Sequence, residues 1–106
     1  MLLGSGSGAT ASLVAAATRA RAAGACVVLL SATGDSPLAE LAQHLVLLQA
    51  PTPKAEGGVC ASASVQPMGS LFEQSVGVVL DGMVLALMQR LGEDAASMFA
   101  RHANVE

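Results

Sequence analysis

The chain contains no tryptophan, no tyrosine and no isoleucine, and its aromatic side chains are Phe72 and Phe99 alone. A core of stacked rings is excluded, so burial falls to Leu, Val and Met. Alanine takes 21 of the 106 positions, and much of the 53% hydrophobic content therefore supplies little apolar area. Charged residues are equally scarce at 12%, with a formal net charge of -3. That balance leaves no basic stripe with which to grip a nucleic acid. The two cysteines, Cys26 and Cys60, stand in no CxxC spacing and beside no histidine, which excludes a metal site and a disulfide framework and makes buried or idle thiols the expectation. No basic segment precedes an apolar one at the N-terminus, so a secretory signal is not expected and the cytoplasm is the default. The longest strongly apolar stretch, Val76 to Met88, is broken by Asp81 and Gly82 and is shorter than the ~20 residues of a bilayer span, so no membrane helix is expected. A mean hydropathy of +0.59 argues against disorder. The length fits one domain, and no internal repeat is present.

What is present reads as alternating strands and helices. Leu2-Leu3 runs into Gly4-Ser5-Gly6-Ser7-Gly8, a strand tail entering a glycine-rich turn, and Ala9 to Ala23 follows as an alanine-rich helix closed by Gly24. Cys26 to Ser31 is a continuous apolar run of strand length, the pattern of a strand covered on both faces in a parallel sheet. Ser36 is placed to cap a short helix that begins at Pro37 and ends near Gln43, and His44 to Gln49 makes another apolar strand. This alternation is typical of doubly wound α/β domains. Ala50 to Val65, rich in Pro, Gly, Ser and Ala, reads as a long loop. Pro67 to Leu91 reads as one helix, apolar nearly all round, that other subunits or further sequence must cover. Gly92 ends it, and a short amphipathic helix with Met98 and Phe99 leads into the polar tail His102 to Glu106.

Two constellations carry candidate chemistry. Between a strand and a helix N-terminus, Ser5, Ser7 and Thr10 add hydroxyls to backbone N–H groups that glycines expose, an arrangement suited to an anion. The lysine of a P-loop is absent, which favours a phosphoester over a nucleoside triphosphate. The plain alternative is an ordinary strand-to-helix turn. Glu73, one turn into the long helix among Leu71, Phe72 and Val76, is the candidate general base, because an apolar setting pushes a carboxylate pKa upward. Its alternative is an acid that complements the helix dipole. Asp81 reads as a polar interface group, His44 as a strand-edge residue, and His102 as either solvated or delivered to a neighbouring subunit.

Taken together, GSGSGATASLVAAA, DSPLAELA, QPMGSLFEQ and MFARHANVE resemble the 6-phospho-3-hexuloisomerases of the sugar isomerase (SIS) superfamily over nearly the whole chain. The resemblance implies a three-layer α/β fold with a parallel sheet of SIS (Rossmann-like) type, lacking an N-terminal part, so that residues 1–106 form a partial SIS domain with an interface helix at about 67–91 and a tail at 93–106. It implies interconversion of 3-hexulose 6-phosphate and fructose 6-phosphate, a step of the ribulose monophosphate route, without cofactor or metal. Phosphate contacts would fall to Ser5, Gly6, Ser7, Gly8 and Thr10, the base to Glu73, and a supporting role to His102 from an adjacent subunit. A sugar phosphate is the implied ligand and a dimer or tetramer the implied assembly, with no nucleic acid or membrane partner. A non-catalytic phosphosugar-binding module and a truncated assembly partner are the competing readings. The family usually carries Glu where this chain has Ala9, and its members are considerably longer at the N-terminus.

Overall fold

The computed structural model describes residues 1–50 and 64–102. Most of the expected loop, Cys60 and the last four residues of the tail lie outside the described residues. Two compact units result, Met1–Val76 and Gly77–Glu106, and each is described by itself.

In the first unit, β1 (Leu2–Gly4), β2 (Val28–Ser31) and β3 (His44–Leu47) form a parallel sheet in the order β1-β2-β3. The register sets Leu3 beside Leu29 and Leu29 beside Leu45. Parallel neighbours need a crossover, and α1 (Ala11–Ala22) and α2 (Pro37–Leu41) supply the two connections. Side chains alternate across a strand, so Leu3, Val27 and Leu29 share one face. There they pack with Ala17 and Leu38, flanked by half-buried Leu13, Val14 and Leu41. Ala17 is fully buried, which shows what the alanine bias does: a methyl group lets the helix backbone approach the sheet closely.

The opposite face is covered too. Gly4 alternates with Leu3, and a Cβ on Gly4 would lie 4.0 Å from Cγ1 of Val76 in the long helix α3 (Ser70–Leu91). Leu30, in register with Gly4, is buried on that same side. The small parallel sheet with its connecting helices is consistent with the expected α/β fold. At β3 the cover gives out, for all four of its residues are exposed.

Local chemistry fixes the ends of the elements. Gly24 has φ +79, and the N–H groups of Gly24 and Ala25 donate to the carbonyls of Arg21 and Ala20, a Schellman ending for α1. Ser36 Oγ accepts from the Ala39 N–H at 3.3 Å, and Pro37 occupies the first turn of α2 as expected. The helix expected from Pro67 starts instead at Ser70, because Met68 takes φ 55 and the Ser70 N–H donates to the Pro67 carbonyl in a turn.

In the second unit, α3 ends at Gly92 with φ +67, and Asp94 caps α4 (Ala95–Ala100) through a reciprocal pair with Ser97. The expectation that no apolar stretch reaches membrane length needs correction. Counted over the helix and not over the unbroken run, α3 has 22 residues, a mean hydropathy of 1.6 in its best window and only 6% of that window buried, enough by length and composition to cross a membrane. A core helix of a soluble protein passes the same test.

Candidate active site

The five expected phosphate contacts lie together on the loop that joins β1 to α1. Ser5 is buried, and its N–H donates to the Leu30 carbonyl at 3.0 Å, so the loop leaves the sheet still paired with β2. The Ser5 and Thr10 hydroxyls are 3.3 Å apart, and the Gly8 N–H reaches Ser5 Oγ at 3.2 Å. Ser7 Oγ accepts from the Ala9 N–H at 3.4 Å. Thr10 stands at the N-cap of α1 with extended backbone, yet its side chain caps no N–H group. Among the described residues, the backbone N–H groups of Gly6, Ser7, Thr10, Ala11 and Ser12 donate to no protein acceptor. A helix of this length leaves its first N–H groups without intrahelical partners, and its dipole adds positive potential there. The loop and the α1 N-terminus therefore offer donors and partial positive charge to an anion, which is the chemistry that a phosphate monoester requires.

Two glycine carbonyls of the loop are already engaged. Gly6 C=O accepts from the Ala32 N–H at 3.2 Å and from Ser31 Oγ at 3.3 Å. Gly8 C=O accepts from the Leu38 N–H at 3.0 Å. Ser31 is completely buried and also accepts from the Thr33 N–H at 3.2 Å. Sequence reasoning took Ser36 for a helix cap and passed over Ser31. The available signal for Ser31 was a hydroxyl closing an otherwise apolar strand, a place where a buried polar atom needs a partner.

Glu73 stands in the first turn of α3, three residues before Val76, and helix geometry makes positions three apart neighbours on one surface. Val76, one turn on from Glu73, has its Cγ1 4.0 Å from where a Cβ on Gly4 would lie, and Gly4 ends β1, from which the loop departs. Its carboxylate is exposed, and among the described residues it has no hydrogen bond. The apolar setting expected for it is therefore not supplied by these residues, since Phe72 turns into the protein in its place. His102 follows α4 in the second unit, exposed, with its N–H donating to the Phe99 carbonyl at 3.0 Å. Asp81 and His44 are exposed, as is Cys26.

No family model matches the chain. Named relatives do. The chain is 36% identical over 107 residues to a 3-hexulose-6-phosphate isomerase of Bacillus subtilis, with all of this chain and 56% of that protein covered. It is 38% identical over 106 residues to a protein of the same name from Mycobacterium gastri, again over all of this chain and 52% of the relative. A relative so named from Methylomonas aminofaciens is 32% identical over 96% of the chain. A crystal structure of a hypothetical protein matches with a TM-score of 0.82 and 26% identity, over 98% of this chain and 54% of that one. The chain spans about half the length of the relatives it matches. Over its whole length the chain is thus similar to about half the length of proteins named 3-hexulose-6-phosphate isomerase, and its fold is that of the solved structure it matches.

Proposed function

We propose that this chain is the phosphate-binding and base-carrying part of a 6-phospho-3-hexuloisomerase, within one SIS domain, acting in the cytoplasm without cofactor or metal. The observation that carries the reading is the similarity, over all of this chain and about half of each relative, to two proteins of that name at 36% and 38% identity. The loop supports it independently, because a sugar phosphate needs the N–H and hydroxyl donors gathered at residues 5–12.

Interconverting 3-hexulose 6-phosphate and fructose 6-phosphate moves a carbonyl from carbon three to carbon two. A base takes the proton from carbon two while the carbonyl oxygen at carbon three gains one, giving an enediol across carbons two and three; the base then returns its proton to carbon three while the hydroxyl at carbon two gives up its own, so that the gain and loss at the two oxygens cancel. One carboxylate serves both transfers when water is kept out. Glu73, in the first turn of α3, is assigned that work, with His102 in support from an adjacent subunit. On this reading the protein assembles as a dimer or tetramer, and it binds neither nucleic acid nor membrane. The exposed apolar side chains of α3, Val84, Leu85 and Leu87 among them, are the surface that such an assembly would cover.

The test is turnover of 3-hexulose 6-phosphate by the purified chain, read as fructose 6-phosphate formed. Glu73→Gln is expected to lower the rate by about a hundredfold or more, the usual contribution of a general base. Undiminished turnover in that variant removes Glu73 from the role. The exposure of Glu73 favours one second reading, a non-catalytic phosphosugar-binding module. Binding of fructose 6-phosphate with no turnover, even with the part of a relative outside the matched half supplied in trans, selects that module.

A further inference from the structure

We propose that the junction between β2 and α2 is a positioning element for the phosphate loop, with Ser31 and Ser36 as its positioning residues and Gly8 as the piece they hold. The inference rests on the reading of residues 5–10 as a phosphate cradle. Three contacts carry it. Gly6 C=O is held from two sides by the Ala32 N–H and by the hydroxyl of the fully buried Ser31. Gly8 C=O is held by the Leu38 N–H at the first turn of α2. Gly8 itself has φ +63, and a Cβ built there would lie 2.5 Å from Cβ of Ser36, with Ser36 Oγ nearer still. The glycine is thus seated directly on a buried serine, with no room for a methyl group.

The chemistry of the loop follows from this seating. A peptide unit has its N–H and C=O on opposite sides, so a carbonyl turned inward and pinned points the next N–H outward. Pinning Gly6 C=O turns the Ser7 N–H away from the β2–α2 junction, toward the open side where no protein acceptor meets it. Ser31 is buried, donating to Gly6 and accepting from Thr33, so its hydroxyl touches the loop and the turn after β2 and not the ligand. Ser36 spends its hydroxyl on the Ala39 N–H and meets the loop through shape.

A double-substitution cycle in the full chain tests this. Gly8→Ala forces the loop off Ser36 and is expected to weaken fructose 6-phosphate binding about tenfold or more in calorimetry, within the range of coupling between residues in contact. Ser36→Gly opens the space while keeping a tolerated cap residue, so the pair Gly8→Ala with Ser36→Gly is expected to recover the part of that loss owed to the clash, the part owed to alanine at φ +63 remaining. In the ligand-free chain, the amide resonances of Gly6, Ser7 and Gly8 should move in Gly8→Ala and return toward the parent positions in the pair. Ser31→Ala should move the same resonances while the far-ultraviolet circular dichroism stays unchanged. Simple additivity of the two substitutions in both readouts overturns the proposal, as does a Ser31→Ala spectrum with the loop resonances in place. If the parent chain binds no fructose 6-phosphate, the cradle reading falls by itself. The seating is then decided by the amide resonances, where recovery in the pair upholds it and additivity overturns it.

Discussion

Ser5, Ser7 and Thr10 present three hydroxyls along six residues of chain, and each is placed to supplement backbone donors at the head of α1. Substituting Ser5 and Ser7 together with alanine is expected to raise the dissociation constant for fructose 6-phosphate by about tenfold, since a net hydrogen bond contributes on the order of 1 kcal/mol. Calorimetry that finds the affinity unchanged takes the phosphate assignment away from the loop. Leu38 tests the support beneath it. Its side chain is fully buried against the sheet and its N–H holds Gly8, so Leu38→Ala is expected to cost about 2–5 kcal/mol in urea unfolding through the cavity it leaves. A loss much smaller than that would mean the α2 side of the core collapses freely around the missing atoms.

Among the elements, α4 is short and exposed, so its ends decide whether it forms. The Asp94 carboxylate accepts from the Ser97 N–H at 2.7 Å, and that bond holds its pKa below the usual carboxylate range. Glu93 is held low first by Arg101, which donates at 2.9 Å, and then by the Ser97 hydroxyl. Both groups have a lowered folded value, so their contribution is present above the ordinary carboxylate range and is lost as pH falls through the lowered values. Helical amide shifts of Ser97 to Phe99 are therefore expected to hold from neutral pH through that range and to give way only in stronger acid. Asp94→Ala should remove the helical shifts already at neutral pH, and a helix that survives it would show that the cap is not what forms α4. How far such elements could be read from the sequence depended on how local their causes are. The caps at Ser36, Gly24 and Gly92 and the apolar run of β2 act within a few residues and were legible. The start of α3 was not, because a left-handed Met68 is a choice the chain makes in three dimensions. That the loop serines share one strand-to-helix turn is legible from their spacing, whereas the Ser31 hydrogen bond depends on a partner 25 residues away. The position of Glu73 at the start of α3 is legible in the sequence and its exposure is not, since burial is a property of what packs against it.

At the scale of the whole molecule, α3 leaves Leu85 61% and Leu91 71% exposed, more apolar surface than a solitary soluble helix keeps. Light scattering of the chain is expected to give a mass of two or four copies that persists in high salt, because apolar contacts are not screened. Leu85→Lys should shift that mass downward, and a stable, soluble monomer for the parent chain would contradict the proposed assembly. β3 has a further consequence. It closes the described sheet on one side with Leu45, Val46 and Leu47 all exposed, and the stretch from Leu45 to Gln49 carries no charged residue. Such an edge is a template on which any extended strand can continue the sheet, and it lacks the lysine or proline that usually discourages this. Purified at high concentration, the chain should lose material to strand-mediated aggregation before it loses its fold, and a single gatekeeper, Leu47→Lys, should keep it in solution.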